Sequence, residues 1–163
     1  MKTLLHIIFL ATAVCLSLPA SAQKDKQAEK ARTEQAVRKA LDERRFRIGV
    51  NYMTPMRGRS RILSTNYSIE VRNDSLFSYL PYAGEAYSIP YGGGKALNFN
   101  APILTYEAKD KKRGRKEIKI TTANEEDTYT YNLTVFPSGS ARVQVQPVRR
   151  QSVSFSGQME LED

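Results

Sequence analysis

A stretch rich in tyrosine and glycine is the part of the sequence best equipped to contact a ligand. Residues 79–95 read YLPYAGEAYSIPYGGGK and contain four tyrosines, four glycines and two prolines. Tyrosine offers an apolar ring and a hydroxyl that seeks a partner, while glycine permits turns and proline restricts the chain. A connection of this length is uncommon in a compact domain. We therefore predict an ordered flap laid against a sheet, with a binding or packing role.

The candidate ligand contacts come from this stretch and from the arginine-rich segment MRGRSR at 56–61. Arginine grips carboxylate or phosphate groups with a planar fork of donors. The predicted contacts are Tyr79, Tyr82, Glu85, Tyr87 and Tyr91, together with Arg57 and Arg59. The alternative is that Gly58 makes a simple turn between exposed arginines and that the flap is only a scaffold.

The glycine run does not fit a nucleotide-binding motif. Gly94-Lys95 is followed by Ala96 where a P-loop needs serine or threonine, and Ile89 stands where its first glycine belongs. A dinucleotide fingerprint would need a helix next, whereas the following residues, ALNFN, are typical of a strand. The sequence thus predicts no cofactor.

The first residues are typical of a secretory signal peptide. They read MKTLLHIIFLATAVCLSLPASAQ, with a charge, an apolar run and a small-residue site that predicts cleavage after Ala22. The apolar run is shorter than a membrane span, and Val14 before Cys15 does not suit a lipid anchor. We therefore expect a periplasmic or secreted protein with no transmembrane segment.

Cleavage would also remove the side chains that most enzymes use. His6 and Cys15 are the only histidine and cysteine, and the chain has no tryptophan. Histidine-dependent catalysis, zinc sites and disulfides are then excluded or nearly so. We predict a protein that is not an enzyme, with no catalytic and no metal-binding residues. A hydrolase using two carboxylates, such as Glu85 and Glu107, stays open as an alternative.

The charge of the chain is strongly basic. The net charge is +8 and the isoelectric point is near 9.6, with a dense cluster in KDKKRGRK at 109–116. Because an exported protein does not meet nucleic acid, we expect a small molecule or an anionic component of the envelope as partner. The alternative is a charge that serves solubility. The oligomeric state is left open.

The elements divide into a helix and a sheet. Residues 23–45 have strong helix composition, and the stripe of Ala36, Val37, Ala40 and Leu41 predicts that only the C-terminal half of the helix packs. From residue 46 onward apolar and polar residues alternate, as at Phe46, Ile48, Val50 and Tyr52, which is typical of antiparallel strands with one buried face.

Turn signals divide the region 46–163 into eight or nine strands. Asn73-Asp74 and residues 137–140 predict tight hairpins. The predicted fold is α+β and mainly β, with the N-terminal helix followed by an antiparallel meander that forms a curved sheet or a small barrel. Residues 96–109 form either two short strands broken at Pro102 or one bent strand.

The stretch from residue 46 to residue 160 resembles a known family. Its longest motif is YLPYAGEAYSIPYGGGKALNF, preceded by NYMTPMRGRS and NYSIEVRNDSLFSYL and followed by RRQSVSFSGQME. These segments resemble domain-of-unknown-function family 4251, exported proteins found mainly in Bacteroidetes. The resemblance implies a shared fold and a Gram-negative envelope setting, and it brings no functional role for any residue.

Three functions follow as hypotheses. The first is a non-enzymatic module that binds a small ligand or an envelope partner through residues 79–95. The second is a structural or protein-interaction module without a ligand. The third is the carboxylate-based hydrolase.

Overall fold

The protein is described by a computed structural model that covers residues 20–87 and 97–161. Most of the predicted signal peptide lies outside these residues, and the predicted cleavage site after Ala22 lies near the start of the helix. In the described part, one α-helix and eight strands follow one another as α1 Ala20–Asp42, β1 Arg45–Pro55, β2 Arg61–Arg72, β3 Ser75–Tyr79, β4 Asn98–Asp110, β5 Lys116–Ala123, β6 Thr128–Val135, β7 Ser140–Pro147 and β8 Val153–Glu160.

The strands form a closed barrel in which each strand pairs with its neighbours in sequence. All pairs are antiparallel, and β1 and β8 close the barrel from Arg47↔Glu160 to Pro55↔Val153. The prediction of a mainly β meander after a helix is confirmed, and the barrel rather than the open sheet is the observed form.

A β-bulge in β1 corrects one assignment made from alternation. Simple alternation places Tyr52 on the same buried face as Ile48 and Val50. The register shifts between Val50 and Tyr52 on both sides of the strand, and the extra residue reverses the order of faces beyond it. Tyr52 is consequently 40% exposed, whereas Met53 is buried.

The interior of the barrel is filled by side chains. Fully buried isoleucines, tyrosines and leucines from different strands meet there, among them Ile48, Ile69, Leu76, Ile120, Tyr129, Tyr131 and Leu133. Such a packed interior resembles that of other small eight-stranded barrels. The fold is therefore stabilised mainly by apolar burial. The chain has a single cysteine, so it forms no disulfide within itself.

The two predicted hairpin turns are present. Asn73 and Asp74 join β2 to β3, and Asn73 adopts a φ of 54°, a left-handed conformation that asparagine tolerates. Gly139, with a φ of 80°, serves the turn between β6 and β7.

The helix packs against one end of the barrel through its C-terminal half, as predicted. Val37 and Leu41 are buried there, and Asp42 forms an ion pair with Lys116 of β5. The helix ends before residue 45, because Arg44 has a φ of 52° and β1 begins at Arg45. We call this the helix end; it also contains the turns at 73–74, 111–115 and 136–139.

The opposite end of the barrel carries the candidate site. Residues 98–110 form a single strand with an irregularity between Ile103 and Thr105, so the open question about Pro102 is decided for one bent strand. This places the basic turn 111–115 at the helix end. The other end, called here the loop end, contains the connections 56–60, 80–97, 124–127 and 148–152.

Candidate binding site at the loop end

Most of the predicted contact residues meet at the loop end. Arg57 of the first connection reaches Glu85, with Nη1 3.8 Å from Oε2, although both side chains are largely exposed. Arg59 is exposed in the same connection. Tyr87 is 68% exposed. The arginine segment and the tyrosine stretch therefore share one surface.

One of the predicted tyrosines makes its contact within the sheet instead. Tyr79 lies at the end of β3, where its ring centroid is 5.2 Å from that of Tyr67. This contact is a ring-packing contact. Tyr91 lies outside the described residues.

Residues 80–87, called the flap, are fastened to the connection 148–152. The Tyr87 amide donates to the Arg149 carbonyl at 2.8 Å, and the Gln151 amide donates to the Glu85 carbonyl at 3.0 Å. Ala86 and Arg150 form an isolated antiparallel bridge between them. The described part of the stretch thus lies on a neighbouring connection, whereas the prediction laid the whole stretch against a sheet. Residues 88–95 of the stretch lie outside the described residues.

The Tyr82 hydroxyl is used to hold the flap in place. It lies 3.1 Å from the carbonyl oxygens of both Glu85 and Gln151, and its single proton can donate to either one. Burial raises the pKa of this hydroxyl, against the opposing effect of nearby Arg150. A Cβ on Gly84 would lie 2.8 Å from the same hydroxyl oxygen, so a larger residue there would displace the Tyr82 side chain.

Gln151, in the connection 148–152, binds the flap through its side chain. Its side chain is buried, its Nε2 donates to Glu85 Oε2 at 2.8 Å, and its Oε1 accepts from the Glu85 amide at 3.4 Å. Glu85 is therefore held at its backbone and at its carboxylate. Its carboxylate still reaches the surface beside Arg57.

Asp127 holds the connection 148–152 through hydrogen bonds to its backbone amides. This buried carboxylate accepts from the amides of Val148 at 3.2 Å and of Arg149 at 3.0 Å, and also from the amide of Thr128. A carboxylate that accepts several backbone amides locks the conformation of the chain around it. The connection 148–152 is therefore anchored to the connection 124–127 through this carboxylate.

Arg150 is a buried cation at the centre of this end. Its side chain is 5% exposed, its Nη2 lies 2.9 Å from Glu126 Oε2, and its guanidinium carbon is 5.8 Å from the centre of the Tyr82 ring. Its Nε has no hydrogen-bond partner among the described residues. Burying an ion pair costs desolvation energy that the mutual attraction only partly offsets.

A groove runs beside this network. It has a volume of about 770 Å³. One wall is the start of β4, and the other is the connection between β5 and β6. The residues that line it are Asn98, Phe99, Asn100, Ala101, Pro102, Ala123, Asn124, Glu125 and Glu126. The two ionisable side chains among them, Glu125 and Glu126, are acidic, and the remaining lining includes two asparagine amides of β4 and one aromatic ring.

The two carboxylates considered for hydrolysis do not share a cleft. Glu107 pairs with Lys119 in the β4–β5 ladder, about 30 Å along β4 from its start at the loop end. It lines a separate groove of about 240 Å³ with residues such as Lys109 and Asn132. Glu85 lies in the flap at the loop end.

The described residues contain no group of three or more histidine, cysteine, aspartate or glutamate side chains placed to hold a metal ion. Among residues 20–87 and 97–161, no helix combines the length and hydrophobicity needed to cross a bilayer.

Comparison with known proteins identifies the family. A family model described as "Domain of unknown function (DUF4251)" matches residues 28–159, most of the chain. The chain belongs to the DUF4251 family. This confirms the resemblance carried by the tyrosine and glycine stretch and its flanking segments. No curated protein matches the chain.

A solved structure of another DUF4251 protein shares the fold. The crystal structure of a DUF4251 family protein from Bacteroides eggerthii DSM 20697 is similar to this chain with a TM-score of 0.63 at 16% sequence identity. The similarity covers 83% of this chain and 91% of that chain. At this identity the likeness extends to the fold alone.

Sequence reasoning did not find the buried members of the network, Asp127, Arg150 and Gln151. Each stands in a polar connection, ANEED or VRRQS, that is typical of a solvated turn. One local signal was present: Asn124 Oδ1 accepts from the amides of Glu126 and Asp127, a turn that asparagine favours. That signal predicts the turn and does not predict which of its carboxylates is buried.

Proposed function

We propose that this DUF4251 chain is a non-enzymatic binding module of an exported protein, acting in the periplasm or outside the cell. Its loop end would hold a small ligand or an envelope partner. The observation that supports this proposal is the buried polar network beneath the flap, formed by Tyr82, Glu126, Asp127, Arg150 and Gln151.

The physical argument concerns what such a network contributes. The filled apolar interior already provides the main stabilisation of the barrel, and replacing a buried ion pair by apolar residues is often neutral or stabilising. A network that costs desolvation energy and yet fixes two surface connections is better explained by a need for a preorganised surface. The surface that it fixes contains the flap and borders the groove.

The exposed side chains at this end are suited to contact rather than to catalysis. Arg57, Glu85 and Tyr87 stand on the surface beside the flap, and aromatic and arginine side chains are the residues most often responsible for affinity at interfaces. The anionic partner expected from the net charge would suit the cationic turn 111–115 at the helix end. The acidic groove favours a different occupant.

Native mass spectrometry of the protein purified from the envelope of its own host tests this function. We expect a species heavier than the bare chain by a bound molecule or partner. Tyr87→Ala should lower its occupancy roughly tenfold. Because Tyr87 is 68% exposed, its loss should leave the free energy of unfolding nearly unchanged.

Lys30→Ala, an exposed change on the helix, is the matched control and should keep the occupancy of the native chain. A bare monomer from the host envelope, unaffected by either change, would contradict the binding function. It would favour the structural module without a ligand.

A further inference from the structure

The barrel wall has a gap at the loop end. Residues 98–102 of β4 pair with β3 on one side, from Tyr79↔Asn98 to Ser75↔Pro102. The ladder with β5 starts only at Ile103↔Thr122, and β5 ends at Ala123, where the chain turns into the connection 124–127. Within the described residues, the first part of β4 is therefore an open strand edge, and it faces the groove.

The backbone geometry shows which groups face the gap. Ile103 donates to the Asp74 carbonyl and Leu97 accepts from the Leu80 amide, so the odd-numbered residues of this segment direct their backbone groups toward β3. Alternate residues of a strand direct them to opposite sides. Asn98 and Asn100 thus present backbone N–H and C=O groups to the groove. The Pro102 carbonyl also points there, since it accepts from Thr122 Oγ1 at 2.8 Å.

The connection 124–127, which faces the open edge across the groove, carries acidic side chains. Glu125 is exposed and Glu126 lies beside it, held by Arg150. Arg150 compensates the charge of Glu126. A segment entering the groove would pass the exposed carboxylate of Glu125, so a cationic side chain is favoured there and an anionic one is repelled. A second copy of this chain is a poor occupant, because pairing β4 with β4 would bring the two acidic walls together.

We propose that this open edge receives an extended segment of a partner protein, rich in lysine or arginine, which adds to the sheet as a strand beside β4. In strand addition, backbone hydrogen bonds supply affinity and the pockets for alternate side chains supply specificity. The five residues of the edge span about 17 Å, enough for an extended segment of about five residues. The proposal rests on the proposed binding function and names the class of partner.

A random twelve-residue peptide library, selected on the folded protein, is the probe. We expect the selected peptides to carry lysine or arginine at alternate positions among β-branched residues. In nuclear magnetic resonance spectra their binding should shift the amides of Asn98 and Asn100 and slow hydrogen exchange at those amides.

Two variants separate backbone pairing from charge. Asn100→Pro removes a donor that faces the groove and leaves the β3 pairing intact, because proline is accepted where the N–H is not used in the ladder. It should weaken binding at least about tenfold.

Glu125→Gln tests the charge. It should weaken peptide binding several-fold and reduce the salt dependence of that binding. Glu29→Gln, an exposed change on the helix, is the matched control and should have no effect.

Three results would overturn the proposal. They are a selection that enriches no peptides, enriched peptides that are acidic, and binding that Asn100→Pro leaves unchanged. Concentration-dependent dimers in sedimentation equilibrium that Asn100→Pro abolishes would instead assign the edge to self-association. If the protein from its host envelope carries a bound ligand but the library yields no binding peptide, strand addition at β4 is contradicted and the proposed binding function is retained.

Discussion

At the scale of single residues, the tyrosines divide into structural and exposed ones. Tyr131 is fully buried, and its hydroxyl pairs with Ser78 Oγ at 2.9 Å while Ser78 donates to the Leu97 carbonyl at 2.7 Å. Tyr106 is half-buried beneath α1, with Arg44 over its ring at 4.4 Å. Tyr87, by contrast, is 68% exposed.

The buried tyrosines predict a loss of stability in alkali. Burial raises the pKa of Tyr106 to about 12 and raises the pKa of Tyr131 further, against about 10 in an unfolded chain. Above pH 10 the unfolded chain releases tyrosine protons that the folded protein keeps, so the free energy of unfolding should fall as pH rises from 10 to 12. Below pH 10 the contribution is fully present.

Urea unfolding measured at pH 9, 10, 11 and 12 checks this expectation. Tyr106→Phe should reduce the fall across this range by about 1 kcal/mol once solvent screening is allowed for. Tyr87→Phe, a change at an exposed position, should leave the fall as it is in the native chain. Equal curves for Tyr106→Phe and the native chain would show that Tyr106 does not contribute.

At the scale of elements, the seam between β1 and β8 decides whether the barrel closes. A Cβ at Gly157 would lie 1.9 Å from the Gly49 carbonyl oxygen, a distance that no side chain can occupy. The close approach coincides with the register shift between Val50 and Tyr52. Glycine at 157 is therefore required for the bulged strand to meet its partner.

Gly157→Ala should separate the two strands at this point. We expect the free energy of unfolding to fall by about 3 kcal/mol or more, because the clash is with backbone and not with a flexible side chain. Denaturant titration followed by circular dichroism measures it. Ser156→Ala, one position away, should change stability by less than about 0.5 kcal/mol; a similar loss in both variants would argue against the close approach as the cause.

At the scale of the whole molecule, the two ends of the barrel are built differently. The helix end is closed by the apolar side chains of Val37 and Leu41, with the basic turn 111–115 beside them. The loop end is covered by the flap, held through buried polar groups. The first end is suited to stability and the second to a preorganised surface.

The helix should contribute to stability only through its last turns. Leu41→Ala removes a buried side chain and should lower the free energy of unfolding by about 3 kcal/mol. Removal of residues 1–30 should cost less than about 0.5 kcal/mol, because helix residues 25–30 are exposed. Urea unfolding of both proteins tests the difference, and a large effect of the truncation would require contacts from the first part of the helix.

The helix and strands were predictable because their signals are local. Alternation of apolar residues locates strands such as the one from Phe46, and the Asn73-Asp74 turn fixes a hairpin between neighbours in sequence. The bulge that exposes Tyr52 was not predictable, since it depends on how β1 meets β2 and β8. The proximity of Arg57 to Glu85 could not be predicted either, because it depends on how many strands separate the two connections and on the order in which they pair.

The sequence by itself determined the class of fold and the family, because periodicity, turn chemistry and a long motif are properties of the chain as written. Tertiary structure alone decided that the sheet closes, that Arg150 and Asp127 are buried, and that the start of β4 stays open beside an acidic wall. Burial and strand pairing depend on residues that are distant in sequence. Whether a side chain in a polar connection such as 124–127 or 148–152 is buried therefore depends on which other segments pack over it.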